Sequence, residues 1–152
     1  MFLHQLTPAQ RRAFARLAQL LIRADHVVDI REEAALHEAL REMGLPAQEL
    51  PPAPAALAEV VPELTAFETL ESRRILILEL VVVICSDREA DPREVDLLRE
   101  LCDRLDMEDE LVPRCHLIAR DHHELMERGR ALISPEWDQS GDGWVEEEEG
   151  PP

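Results

Sequence analysis

The chain has 152 residues, 33 of them acidic and 16 basic, for a formal net charge of −17. That length suits one domain, and a hydrophobic content of 45% suits a buried core and excludes wholesale disorder. The charge excludes general affinity for nucleic acid or for an anionic membrane surface, because both depend on clustered Lys and Arg.

An acidic surface instead suits cations or basic protein partners. Cys85, Cys102 and Cys115 form neither a C-x-x-C pair nor an even-numbered framework, and all three sit in apolar stretches. Reduced core thiols and a cytoplasmic location are expected. Met1 to Gln10 shows no signal-peptide pattern. The most apolar run, Ile75 to Cys85, is 11 residues with Glu79 inside it, well short of the roughly 20 that a membrane span needs. It reads as a buried core helix, with no membrane insertion.

In chain order, Thr7-Pro8-Ala9-Gln10 carries the Thr cap, early proline and N3 glutamine of a capping box. The helix it opens is predicted to run to about Ala24, with Phe14, Leu17, Ala18 and Leu21 as its core stripe. A second helix is predicted from the cap Asp29, with Glu32 at N3, to Gly44, where glycine suits a left-handed stop. Pro46, Pro51, Pro52, Pro54 and Pro62 make the next segment a connector with one short helix at Ala55 to Val61. A long helix is predicted from about Phe67 to Ser86. Asp91-Pro92-Arg93-Glu94 repeats the capping logic and opens a helix to about Leu105. Met107 to Ile133 is helical in composition, with a kink or restart expected at Pro113. From Ser134 the chain becomes a run of acids with Trp137 and Trp144, read as a disordered acidic tail over 134–152 behind a helical domain over 1–133.

An offset of 62 positions places Asp25 on Asp87, Asp29 on Asp91, Arg31 on Arg93, Glu32 on Glu94, Leu36 on Leu98 and Glu38 on Glu100. Each half is therefore helix, D-x-x-x-D-x-x-E, helix. Such internal similarity predicts an all-α, pseudo-symmetric bundle of two helical hairpins closing one core. Asp29 with Glu32, and Asp91 with Glu94, are accounted for as helix caps. Asp25 and Asp87 stand where a helix ends, at the negative end of its dipole, so a carboxylate there calls for a cationic or hydrogen-bonding partner.

The segments Leu21-Ile22-Arg23-Ala24-Asp25 through Glu32, and Val83-Ile84-Cys85-Ser86-Asp87 through Glu94, resemble the paired acidic motifs of TerB-like proteins. That family comprises the tellurite-resistance TerB proteins and the related domain of DjlA-type co-chaperones. The resemblance implies a role in tellurite and stress resistance, other Ter-type proteins as partners, and a divalent cation held between the halves by Asp25, Glu32, Asp87 and Glu94, with Asp29 and Asp91 nearby. Oxygen ligands of this kind favour Ca²⁺ or Mg²⁺. Where the family has glycine after the aspartate, this chain has His26 and Arg88. The alternative reading keeps the same fold as a protein-interaction adaptor with no bound metal.

Cys115-His116 and Asp121-His122-His123-Glu124 contain metal-ligating types, but adjacent helical residues diverge by about 100°. No histidine has a glutamate three residues before it, which excludes the Glu-x-x-His pairs of di-iron bundles. H-E-x-x-H, G-x-S-x-G, P-loop and dinucleotide patterns are all missing. The expectation is a chain that is not an enzyme.

Overall fold

The computed structural model describes residues 1–24, 29–46, 49–85 and 90–134. Among these the chain is helical, with no strand. The main helices are α1 (Pro8–Leu21), α2 (Ile30–Glu42), α3 (Leu70–Ile84), α4 (Pro92–Arg104) and α5 (Leu111–Ile133).

Local chemistry sets each boundary. Thr7 and Gln10 form the reciprocal capping box, with the Thr7 N–H donating to Gln10 Oε1 at 2.8 Å and the Gln10 N–H to Thr7 Oγ1 at 3.3 Å. α1 stops at Leu21, earlier than Ala24, because the chain tightens there. The Arg23 and Ala24 N–H groups reach back three residues, to Leu20 O and Leu21 O, the 3₁₀ geometry common at helix ends. α3 likewise begins later than Phe67, since Thr69 caps it by accepting from the Ser72 N–H at 3.1 Å. The proline-rich connector forms two 3₁₀ segments, Leu57–Glu59 and Val61–Ala66, where a short helix over Ala55 to Val61 is expected. Pro113 neither kinks nor restarts α5. It sits in the first turn, where a backbone N–H has no intrahelical acceptor to lose. The expected tail lies outside the described residues apart from Ser134.

The offset of 62 positions extends to features that the acidic motifs do not include. The caps Thr7 and Thr69 obey it, and α2 and α4 both have 13 residues. Both of those helices end in a Schellman motif. After α2, Leu45 N–H donates to Leu40 O and Gly44 N–H to Arg41 O, with Gly44 at φ 67°. After α4, Met107 N–H donates to Cys102 O and Asp106 N–H to Asp103 O, with Asp106 at φ 53°.

Two arginines obey the same offset. Arg11 in α1 donates from Nε to Leu6 O at 2.8 Å and from Nη1 to Met43 O, the cap of α2, at 3.0 Å. Arg73 in α3 donates from Nε to Phe67 O at 2.9 Å and from Nη1 to Leu105 O, the cap of α4, at 3.1 Å. Each guanidinium satisfies orphan carbonyls at a helix end and ties the first helix of its half to the last turn of the second.

α3 is the centre, packed against α1, α2, α4 and α5. Leu76, Ile77, Leu80, Val81 and Ile84 are fully buried on it, with Phe14, Phe67 and Leu98 around them. A helix so apolar has to be largely covered; the other helices bury one broad face of it, while Ile75, Leu78 and Val82 stay half-buried.

The two αL positions make opposite predictions. Gly44→Ala places a Cβ at positive φ and is expected to destabilise the fold by about 1 kcal/mol, whereas Asp106→Gly relieves one and is expected to stabilise it by about 0.5–1 kcal/mol. Urea unfolding of the two variants measures both. Arg11→Ala strips three carbonyls of a charged donor, His4 O among them, and Arg73→Ala strips two; each is expected to cost about 1.5–3 kcal/mol.

Candidate functional site

Of the acids singled out in the sequence, Asp29, Asp91 and Glu94 serve as helix-start chemistry, the last two as the full capping box that α2 does not show for Asp29 and Glu32. Asp29 accepts from the Arg31 N–H at 2.7 Å. Asp91 accepts from the Arg93 N–H at 2.8 Å and takes part in a full capping box with Glu94, whose Oε2 accepts from the Asp91 N–H at 2.9 Å. Glu32 and Glu94, matched by the repeat, are both buried. Asp25 and Asp87, with their neighbours His26 and Arg88, lie outside the described residues. Among the described residues no group of three or more His, Cys, Asp or Glu side chains is placed to hold a metal ion.

A different place gathers charged groups around a concavity. α2 and α5 both lie against α3, and a groove of about 510 Å³ opens with both of them lining it. Ala34, Ala35 and Ala39 of α2 keep one wall low. Val82, Val83 and Glu79 come from α3, and His122, His123 and Met126 from α5. Arg130 of α5 reaches Glu38 of α2 across it, Nη2 to Oε2 at 3.6 Å.

Glu79 is the charge inside the apolar run, and it is only 2% exposed. A carboxylate so buried needs partners. It has two: the Met1 ammonium, 3.0 Å from Oε1, and the Phe2 N–H. The same ammonium lies 2.8 Å from Glu42 Oε2. Burial works against charge on both Met1 and Glu42, but the hydrogen bonds between them win. The ammonium pKa is raised and the Glu42 carboxyl is lowered.

The histidines are committed as well. His123 donates from Nε2 to the Val82 carbonyl at 2.9 Å, which leaves Nδ1 as its acceptor nitrogen when neutral. Burial holds the His122 pKa below its usual value, with the His123 charge adding to the effect. His116 stands outside the groove, its Nδ1 3.1 Å from Cys85 Sγ, and burial lowers its pKa too. A thiol beside an imidazole is the arrangement of a cysteine nucleophile, and here the thiol is buried, 5% exposed. Cys102 and Cys115 are buried free thiols whose pKa values burial pushes up to about 11. These cysteines pack as small apolar side chains.

No family model, curated protein or solved structure matches this chain. No helix among the described residues is long and apolar enough to cross a membrane.

The groove is the feature that sequence reasoning missed. Its one signal was Glu79, a lone carboxylate in an apolar run whose partner had to come from elsewhere in the fold. The His123 contact has no signal in sequence, because its acceptor is a backbone carbonyl 41 positions away.

Removing the buried carboxylate with Glu79→Ala is expected to cost about 1–3 kcal/mol by leaving the buried ends of its hydrogen bonds unmade; denaturant unfolding checks it. Stability should also depend on pH with a definite shape. His116 and His122 have lowered pKa values, so their contribution is complete above 6.5 and lost as pH falls below it. The Met1 ammonium is raised from 8.0, and its contribution is lost as pH climbs beyond that value. Cys102 and Cys115, raised from 9.0 to about 11, add a further loss across that interval. Thermal midpoints measured from pH 5 to 11 should be flat between about 6.5 and 8 and fall on both sides.

Proposed function

We propose that this chain is a non-enzymatic, TerB-like interaction domain of the stress-response kind, which seats a protein partner in the groove between α2 and α5. The observation that carries the reading is the groove itself: a low alanine wall and Val82, Val83 and Met126 beside the buried Glu79 and the two histidines, rimmed by Arg31, Arg130, Glu38 and Glu127. Concave surfaces that mix apolar side chains with convergent polar groups are what binding sites look like. Two of the titratable groups that line it, Glu79 and His123, are already engaged within the fold, which supports docking over acid-base chemistry. A partner with an apolar helix flanked by both signs of charge suits this rim.

The test compares the natural chain with Ala35→Arg, which fills the groove from a half-buried position at the edge of the core. Partners captured from the source cells by the natural chain should be lost with the variant, while the helical signal stays unchanged. Capture that survives the substitution sinks the groove as the docking site.

The repeat of caps and helix lengths at 62 positions supports a second reading, in which Asp25 and Asp87, at matched positions just before the caps Asp29 and Asp91, hold Ca²⁺ or Mg²⁺ between TerB-like halves. A ligand of the folded state raises its stability by mass action. Millimolar Ca²⁺ or Mg²⁺ would then raise the thermal midpoint of the natural chain and leave an Asp25→Ala, Asp87→Ala variant unmoved. No rise in the natural chain removes the cation and leaves the adaptor.

A further inference from the structure

α5 carries an apolar line that its own bundle does not cover. Ile118, Leu125 and Leu132 recur every seven residues, so they stack along one side of the helix, and they are 48%, 64% and 56% exposed. Met126 and Ile133 widen the line, at 38% and 81%. Arg114 and Arg128 border it, seven positions either side of Asp121. In a chain of net charge −17, α5 holds four arginines against Asp121, Glu124 and Glu127. Arg120 and Arg130 are paired with Asp121 and Glu38, which leaves an apolar line bordered by Arg114 and Arg128 on an otherwise anionic protein.

The segment that follows α5 has the opposite character. After Ser134 come 18 residues with seven acids, no basic side chain, and both tryptophans of the chain. Ser134 leaves the helix with extended backbone, φ −68° and ψ 137°, as a residue before proline prefers. Trp137 and Trp144 are seven positions apart, a span of up to about 24 Å when extended. From Ile118 to Leu132 the helix rises about 21 Å.

We propose that the apolar line on α5 is the docking site for this chain's own acidic C-terminal segment, with Trp137 set against Leu132 and Leu125 and Trp144 towards Ile118. Trp137 is only four positions beyond Ile133 and reaches the near end directly, while the glutamates that follow Trp144 come to lie beside Arg114. Indole rings supply large apolar contact at low entropic cost. Charge complementarity fixes the direction of the segment along the helix.

Trp137 and Trp144 are the only tryptophans and there is no tyrosine, so the intrinsic fluorescence of the full chain reports on this segment alone. Emission and acrylamide quenching are measured for the natural chain, for Leu125→Glu and for an Ile118→Gln, Leu132→Gln variant, with tryptophan amide as the exposed reference. These side chains are exposed, and far-ultraviolet dichroism confirms that the variants keep their helices. The natural chain should emit to the blue of the reference and quench less, and both variants should shift towards it. High salt should weaken the protection by screening the arginines. Natural-chain tryptophans that quench like the amide overturn the proposal, and so does protection that all variants retain. Protection that falls on dilution places the segment on α5 of a second copy and overturns docking within one chain.

Discussion

Everything in this fold answers to one helix that cannot be left in water. α3 buries Leu76, Ile77, Leu80, Val81, Val83 and Ile84 on one broad face, and Ile75, Leu78 and Val82, half-buried, make the rest of the run apolar too. A segment with no polar face has no orientation in which it can sit at a surface. α1, α2, α4 and α5 each cover part of it, and each needs only one apolar stripe to do so. The amphipathic character of the outer helices and its loss in the central one are thus two sides of one arrangement.

The exception inside α3 organises the surroundings of the groove. Glu79 makes that stretch unable to close on apolar contacts alone, so charge from the chain start is drawn in to meet it, and Glu42 of α2 joins through the same ammonium. Because α2 offers alanines at 34, 35 and 39 where bulkier side chains would fill the gap, a recess remains between α2 and α5. Its existence follows from one buried charge and three small residues.

Features governed by neighbours in sequence were legible in advance. Thr7 with Gln10, Asp91 with Glu94, and Gly44 each act within four residues of themselves, and the structure uses each one as its chemistry suggests. Asp106 was not recognisable as a left-handed stop, because an aspartate tolerates that conformation without announcing it as glycine does. Pro113 misled for a related reason, since its effect depends on where the helix begins and not on the proline itself. The groove and the arginine contacts to the ends of α2 and α4 were beyond reach, because they join residues tens of positions apart. Even so, the offset of 62 that relates the acidic motifs also relates Arg11 to Arg73. The motif residues Asp25 and Asp87 fall outside the described residues, so the site they suggested rests on its sequence signal.

The paired guanidinium contacts bear on how the molecule opens. In each half the first helix grips the final carbonyl of the second through a side chain near its own start. Fraying of α2 or α4 from its C-terminal end therefore strains a bond anchored in another helix, and melting of α1 or α3 from its N-terminal end releases the same bond. Neither member of a pair has an end that loosens alone. Structure of this kind opens in supersecondary units, and amide hydrogens at the end of α2 should exchange in step with those at the start of α1. Slow exchange at both chain positions would then trace a single event, the parting of a hairpin.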